Sequence, residues 1–220
     1  MSGRETILSR VREALADVPA DEAPTDVIVP RDYRRISAVS ESDVLDLFAA
    51  SVEDYGATVH RIDESGIAAV VKEICHERGL RTMIAAPGFT EHVVTGAGVV
   101  LMRDSPPMSA SSLDQADAVI TNAAVGIAET GTIALVNDSG MGRRALSLVP
   151  DVHIVVVRAD QIVASVPEAM DALASRRTRA ITFISGGSAT SDIELIRVEG
   201  VHGPRTLEVL LVSDRAADRA

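Results

Sequence analysis

Apolar runs of strand length recur along the chain: Thr82-Met83-Ile84-Ala85-Ala86, His153-Ile154-Val155-Val156-Val157 and Leu207-Glu208-Val209-Leu210-Leu211-Val212. Short, continuous, β-branched runs of this kind predict strands buried on both faces. Stretches with apolar residues three and four apart lie between them. Val44, Leu45, Leu47 and Phe48 supply the buried face of a helix that Ser40 or Ser42 caps and that stops near Gly56. Ala57–Asp63 then reads as a strand, Ser65–Arg78 as a helix ended by Gly79, and Arg81–Pro87 as the next strand. This strand, helix, strand order is the mark of parallel crossover units. The fold class expected is α/β, with one mostly parallel open sheet and flanking helices. In such sheets ligands bind beyond the carboxyl ends of the strands.

Farther along, Val99–Arg103 predicts a strand and Ser105–Ser112 a turn or loop. The segment 116–136 is almost free of charge. It divides into strands at Ala118–Thr121, Val125–Ala128 and Thr132–Val136, with Glu129-Thr130-Gly131 as the turn joining the last two. Its β-branched residues and glycines argue against one long helix. Arg143–Leu148 reads as a helical turn ended by Pro150, and Pro167 opens a helix running to about Ser175. The organisation expected is an amphipathic helix over 1–17 with Ile7, Leu8, Val11 and Leu15 in one stripe, and an extended Pro- and Asp-rich linker over 18–39. An α/β domain over 40–213 and a tail over 214–220 complete it.

Composition narrows the function. With 21 basic and 32 acidic residues the formal charge is −11, which repels a phosphate backbone, and aromatic residues at 2% leave no stacking platform. Nucleic acid is therefore not the expected partner. No apolar run approaches the roughly 20 residues of a spanning helix, and the first residues lack a signal-peptide core, so the cytoplasm is the expected location. The single cysteine, Cys75, excludes an intramolecular disulfide and cannot by itself hold an iron–sulfur cluster, which usually takes four thiolates. The five histidines show no metal-ligand spacing, so no metal site is expected.

Three polar, glycine-rich loops lie next to apolar strands and carry the candidate chemistry. In the first, Gly126, Thr130, Gly131 and Thr132 surround Glu129, the lone charge of a long apolar stretch. It reads as a general acid or base, as a group that orients substrate, or as a solvent-facing turn residue. In the second, Ser185, Gly186, Gly187, Ser188, Thr190, Asp192 and Glu194 follow a strand. Backbone N–H groups there can converge on an anion, or the loop is an ordinary strand-to-helix turn; the spacing is neither a P-loop nor a dinucleotide fingerprint. In the third, His202 beside Gly203 reads as a proton-transfer group or anion contact, or as a half-exposed turn histidine, and Arg205 is suited to grip a carboxylate with two donors. Arg143 and Arg144, after Gly140-Met141-Gly142, form a further turn that reads as an anion contact or as a solvated helix start.

Taken in order, Gly126–Leu135, the run Arg143–Pro150 into His153-Ile154, and Ser185–Glu194 before Gly200–Arg205 resemble the LUD domain family. Within it they are similar to the lactate-utilisation protein C (YkgG) type. The likeness spans roughly Val39 to Ser213. Where the family commonly carries Gly-Pro after the serine of the second loop, this chain carries Gly186-Gly187. The resemblance implies a fold like that of the NagB/RpiA/CoA-transferase group. It also implies a subunit of a system that oxidises L-lactate to pyruvate together with iron–sulfur partner proteins. The clusters would reside in those partners, and this chain would be an accessory component, with a small anion or nucleotide as its ligand class and no bound cofactor of its own. A homo-oligomer is compatible with it. A stand-alone enzyme resembling CoA transferases or folate cyclo-ligases, which share that fold group, is the alternative.

Overall fold

The computed structural model describes residues 2–19, 21–23, 26, 28–190, 198–199 and 203–213. Residues up to Arg34 and residues from Arg35 onward form two separate compact units. In the first, helix α1 (Gly3–Ala14) starts at Ser2, whose Oγ accepts from the Glu5 N–H at 3.3 Å, while Glu5 Oε2 accepts from the Ser2 N–H at 2.6 Å. This reciprocal pair satisfies two donors that a helix start otherwise leaves bare.

In the second unit the helices are α2 (Val44–Asp54), α3 (Ile67–Glu77), α4 (Ala110–Leu113) and α5 (Val166–Ala172). The strands are β1 (Thr58–Ile62), β2 (Thr82–Ala85), β3 (Val100–Arg103), β4 (Ala118–Asn122), β5 (Val125–Ile127) and β6 (Thr132–Val136). After them come β7 (Val152–Arg158), β8 (Ile162–Val163), β9 (Ile181–Ile184), β10 (Ala189–Thr190), β11 (Val198–Glu199) and β12 (Thr206–Val212). No helix among the described residues is long and apolar enough to cross a membrane.

Six strands pair in the order β1-β12-β7-β4-β2-β3, every pair parallel, as the unbroken apolar runs predict. Each face of this sheet has its own core. Ile67, Val71, Ile74 and Cys75 of α3 pack with Met83, Ile84 and Ile154 in one. Phe48 and Val52 of α2 pack with Val155, Val157, Val209 and Leu211 in the other.

The structure departs from a single sheet. β5 and β6 leave the main layer as a hairpin and form a second sheet, β8-β5-β6-β9, that shares the core of α2. A hairpin buried on both sides carries the same apolar signature as a central parallel strand, which is why the pattern alone does not separate them. The cap of α2 also differs from expectation. Asp43 takes that position with no side-chain cap bond, while Ser40 and Ser42 bond to one another at 2.8 Å and Ser42 to Asp43 at 3.1 Å. Within the expected loop 105–112, Ser109 caps the four-residue α4, which buries Leu113.

Candidate functional site

The strand order reverses between β2 and β4: the chain steps from β2 outward to β3, then returns to the other side of β2 to make β4. Beyond the carboxyl ends of such strands the exit loops part and leave a crevice. Here the segment after β6 crosses that gap. The Gly140 N–H donates to the Pro87 carbonyl at 2.7 Å and the Asn122 N–H donates to the Gly140 carbonyl at 2.8 Å. The crossing is too close for larger residues. A Cβ on Gly88, at φ +83°, would lie 2.0 Å from Ser139 Oγ, and one on Gly140 would lie 2.6 Å from Asn122 Nδ2. The result is an open crevice of about 460 Å³, walled by Pro87, Gly88, Asp104, Asn137, Ser139 and Arg143.

One ion pair dominates its floor. Asp104, which follows β3, is only 6% exposed. Arg143 Nε donates to its Oδ2 at 2.7 Å, and Nη2 donates both to its Oδ1 at 2.8 Å and to the Met108 carbonyl at 2.7 Å. The Met108 N–H completes the set by donating to Asp104 Oδ1 at 2.7 Å. The guanidinium holds the Asp104 carboxyl below its ordinary pKa, and the carboxylate raises that of Arg143 in return. Asp138, also lining the crevice, accepts from the Ser139 N–H at 2.8 Å and pairs with Arg179 at 3.3 Å. Of these residues the sequence singled out Arg143. Asp104 and 137–139 carry no motif, and their one signal is that each directly follows an apolar strand.

The three predicted loops lie elsewhere. Gly126 is a packing residue: a Cβ there would meet Phe48 at 3.0 Å and Ile162 at 3.1 Å. Glu129 is half-buried on the flank of the second sheet; Ser37 Oγ donates to its Oε1 at 2.6 Å and its own N–H donates to the Ala164 carbonyl at 3.0 Å. The same Ser37 donates its N–H to Glu168 Oε1 at 3.1 Å, and this bond leads the interactions that lower the Glu168 pKa. Thr130, Thr132 and Ser185 form a hydroxyl row with 2.8 Å spacings, which joins the first loop to the second.

The second and third loops also meet. The Ser188 N–H donates to the Pro204 carbonyl at 2.7 Å, and Cβ atoms on Gly186 and Gly187 would strike the Tyr55 carbonyl at 2.5 Å and the Arg205 carbonyl at 2.7 Å. Gly203 faces Ser188, and Thr190 pairs with Val198 in the short β10–β11 ladder. Tyr55 and Arg205 precede β1 and β12, so this cluster sits at the amino ends of the parallel strands, away from the crevice. Arg205 does grip a carboxylate with two donors, but it is that of Asp151 on the same chain. Asp192, Glu194 and His202 lie outside the described residues. Among the described residues no cluster of His, Cys, Asp or Glu is placed to hold a metal ion.

Gly131 carries a direct test of this packing. It adopts φ +57°, and a Cβ would lie 2.5 Å from the Ser51 carbonyl of α2. Gly131→Ala is expected to cost about 2 kcal/mol or more of stability in urea unfolding, from the left-handed backbone together with the clash. A wild-type midpoint would mean that the turn and α2 yield freely.

Comparison with known proteins fits this architecture. A lactate utilization protein C of Deinococcus radiodurans is 47% identical over 177 residues, covering 79% of this chain and 82% of that protein. A protein of Escherichia coli known as YkgG is 26% identical and covers 97% of this chain and all of its own length. A crystal structure of a DUF162 family protein from Deinococcus radiodurans superposes with a TM-score of 0.66 at 38% identity, over 79% of this chain and 99% of that one. The LUD domain profile matches residues 45–212, from the first turn of α2 to the last residue of β12. On that match, and on the extent of these relatives, the chain belongs to the LUD domain family.

Proposed function

We propose that this chain is a cytoplasmic component of an L-lactate utilisation system, acting in the oxidation of L-lactate to pyruvate together with iron–sulfur partner proteins. The observation that carries this reading is the 47% identity, over most of both chains, to a lactate utilization protein C. The chemistry of the chain is compatible with a divided system. Oxidising a 2-hydroxy acid to a 2-oxo acid removes two electrons and two protons. Cys75 is the lone cysteine and only 2% exposed, so a thiolate-ligated cluster belongs on another polypeptide. The part assigned to this chain is to bind and present a small ligand and to dock those partners.

Deleting the gene is expected to abolish growth on L-lactate as sole carbon source while leaving growth on pyruvate intact. Co-expression with the cysteine-rich products of neighbouring genes is expected to give a complex that co-purifies. Normal growth of the deletion strain on L-lactate would overturn the reading.

A further inference from the structure

The crevice at the strand reversal is a built site that the role proposed above leaves without a ligand. Backbone hydrogen bonds of Gly140 to Pro87 and Asn122 tie its wall across the gap, and Gly88, Gly140 and Gly142 all adopt positive φ, where a larger residue is strained. Its volume, about 460 Å³, falls in the range of small-molecule pockets. Its charges discriminate between ligand classes. Asp104 and Asp138 are balanced by Arg143 and Arg179, within a chain of net charge −11. A polyanion such as a nucleotide or a CoA ester is disfavoured there, because both guanidinium groups already face a carboxylate and nothing compensates its charges beyond the first.

A single carboxylate fares differently. Asp104 and the Met108 carbonyl take Nε and Nη2 of Arg143, so the guanidinium is fixed in place. Its Nη1 keeps two N–H donors without a partner among the described residues. A guanidinium so oriented can bridge two carboxylates, one structural and one from a ligand. Asn137 and Ser139, both exposed and lining the same crevice, offer an amide and a hydroxyl for a second oxygen of the ligand.

We infer that this crevice binds a small 2-hydroxy or 2-oxo monocarboxylate, with Arg143 Nη1 holding the carboxylate and Ser139 and Asn137 reading the oxygen on the adjacent carbon. The choice of acid rests on the proposed role in lactate utilisation; the site and the single negative charge rest on the geometry.

The test uses the full chain, labelled with ¹⁵N and titrated with L-lactate, pyruvate, ATP and CoA. Saturable shifts with L-lactate or pyruvate at the amides of Gly88, Ser139 and Gly142 are the expected result. Arg143→Lys keeps the charge but loses the fork, and is expected to weaken affinity by about tenfold or more. Arg143 also neutralises a buried carboxylate, so a second variant guards against misfolding. Asn137→Trp fills the crevice from an exposed position, leaves the Asp104–Arg143 pair intact, and is expected to abolish binding. Arg61→Lys, at a surface pair with Asp46, is expected to leave affinity unchanged.

Absence of a saturable shift with either acid up to about 10 mM, where a site of about 1 mM affinity is roughly nine-tenths filled, overturns the inference. Binding of ATP or CoA in place of the acids overturns it as well, as do shifts confined to residues 185–188 and 203–205. Growth of the deletion strain separates the two readings. Growth lost on L-lactate with neither acid bound leaves the proposed role standing and removes the crevice from it. Growth unaffected with acid bound does the reverse.

Discussion

Glu208→Ala is expected to lower the unfolding free energy by about 3–5 kcal/mol and the melting midpoint on the order of 10 °C. Glu208 lies in the middle of the parallel sheet, between Thr58 of β1 and Ile154 of β7, and is 2% exposed. A carboxylate there is tolerable only because it is enclosed by donors. Arg78, at the end of α3, donates through Nε at 2.7 Å and through Nη2 as well, and His60 Nε2 lies 2.8 Å from the other oxygen. Removing the acid leaves two cationic or polar partners facing an apolar layer. Arg78→Met keeps the apolar stem but removes both guanidinium donors and leaves the buried carboxylate with His60 alone, so it is expected to cost at least as much. Urea unfolding of both variants checks the ranking. A loss below about 1 kcal/mol for Glu208→Ala would mean that the three groups are replaceable packing and not an ionic anchor.

The second large effect is acid sensitivity set by His153. Its side chain is 1% exposed on β7, its Nε2 lies 2.8 Å from Thr121 Oγ1, and its Nδ1 has no partner among the described residues. Burial lowers its pKa from 6.5 to about 4, because no anion is at hand to compensate the imidazolium. The unfolded chain therefore binds a proton between these two values that the folded chain refuses. Stability is full above pH 6.5 and falls as the pH drops toward 4, by about 3 kcal/mol in all and about 2 kcal/mol of it by about pH 5. The carboxyls of Asp104 and Glu168, both held below their ordinary pKa, act in a lower window, where stability falls as pH drops below their unfolded values of 3.8 and 4.5. His153→Leu is expected to flatten the slope between about pH 7 and about pH 5. An unaltered slope in that variant would assign the acid sensitivity to other groups.

Much of the fold was legible. β6 runs over Thr132–Val136, where the turn at Glu129–Gly131 places it, and β7 and β12 follow the unbroken apolar runs. Burial on both faces leaves a local trace in the sequence, so these strands can be read from it. The two-residue β8 leaves none, since it exists only because Gly126 and Ile127 offer it an edge. The departure of β5 and β6 from the main layer is a tertiary choice invisible to periodicity.

The site was less legible for a similar reason. The loops that look chemical, at 126–132, 185–188 and 203–205, owe their glycines largely to close backbone approaches against Phe48, Ser51, Tyr55 and Arg205. The crevice is assembled from Pro87–Gly88, Asp104 and 137–143, single residues and short turns whose proximity depends on where the strand order reverses. Arg205 shows the limit plainly. Its capacity to grip a carboxylate was readable, but its partner, Asp151, is 54 positions away.

The position of β12 bears on how the molecule comes into being. This strand sits between β1 and β7, so among the described residues β1 has no sheet neighbour until residues 206–212 arrive. During synthesis the first strand leaves the ribosome well over a hundred residues before its mate, and both β1 and β7 present bare edges for that interval. Ordering the main sheet is thus coupled to the emergence of residues 206–212, and a ribosome that stalls before Thr206 yields a chain with two open β-edges, a substrate for chaperones or for aggregation.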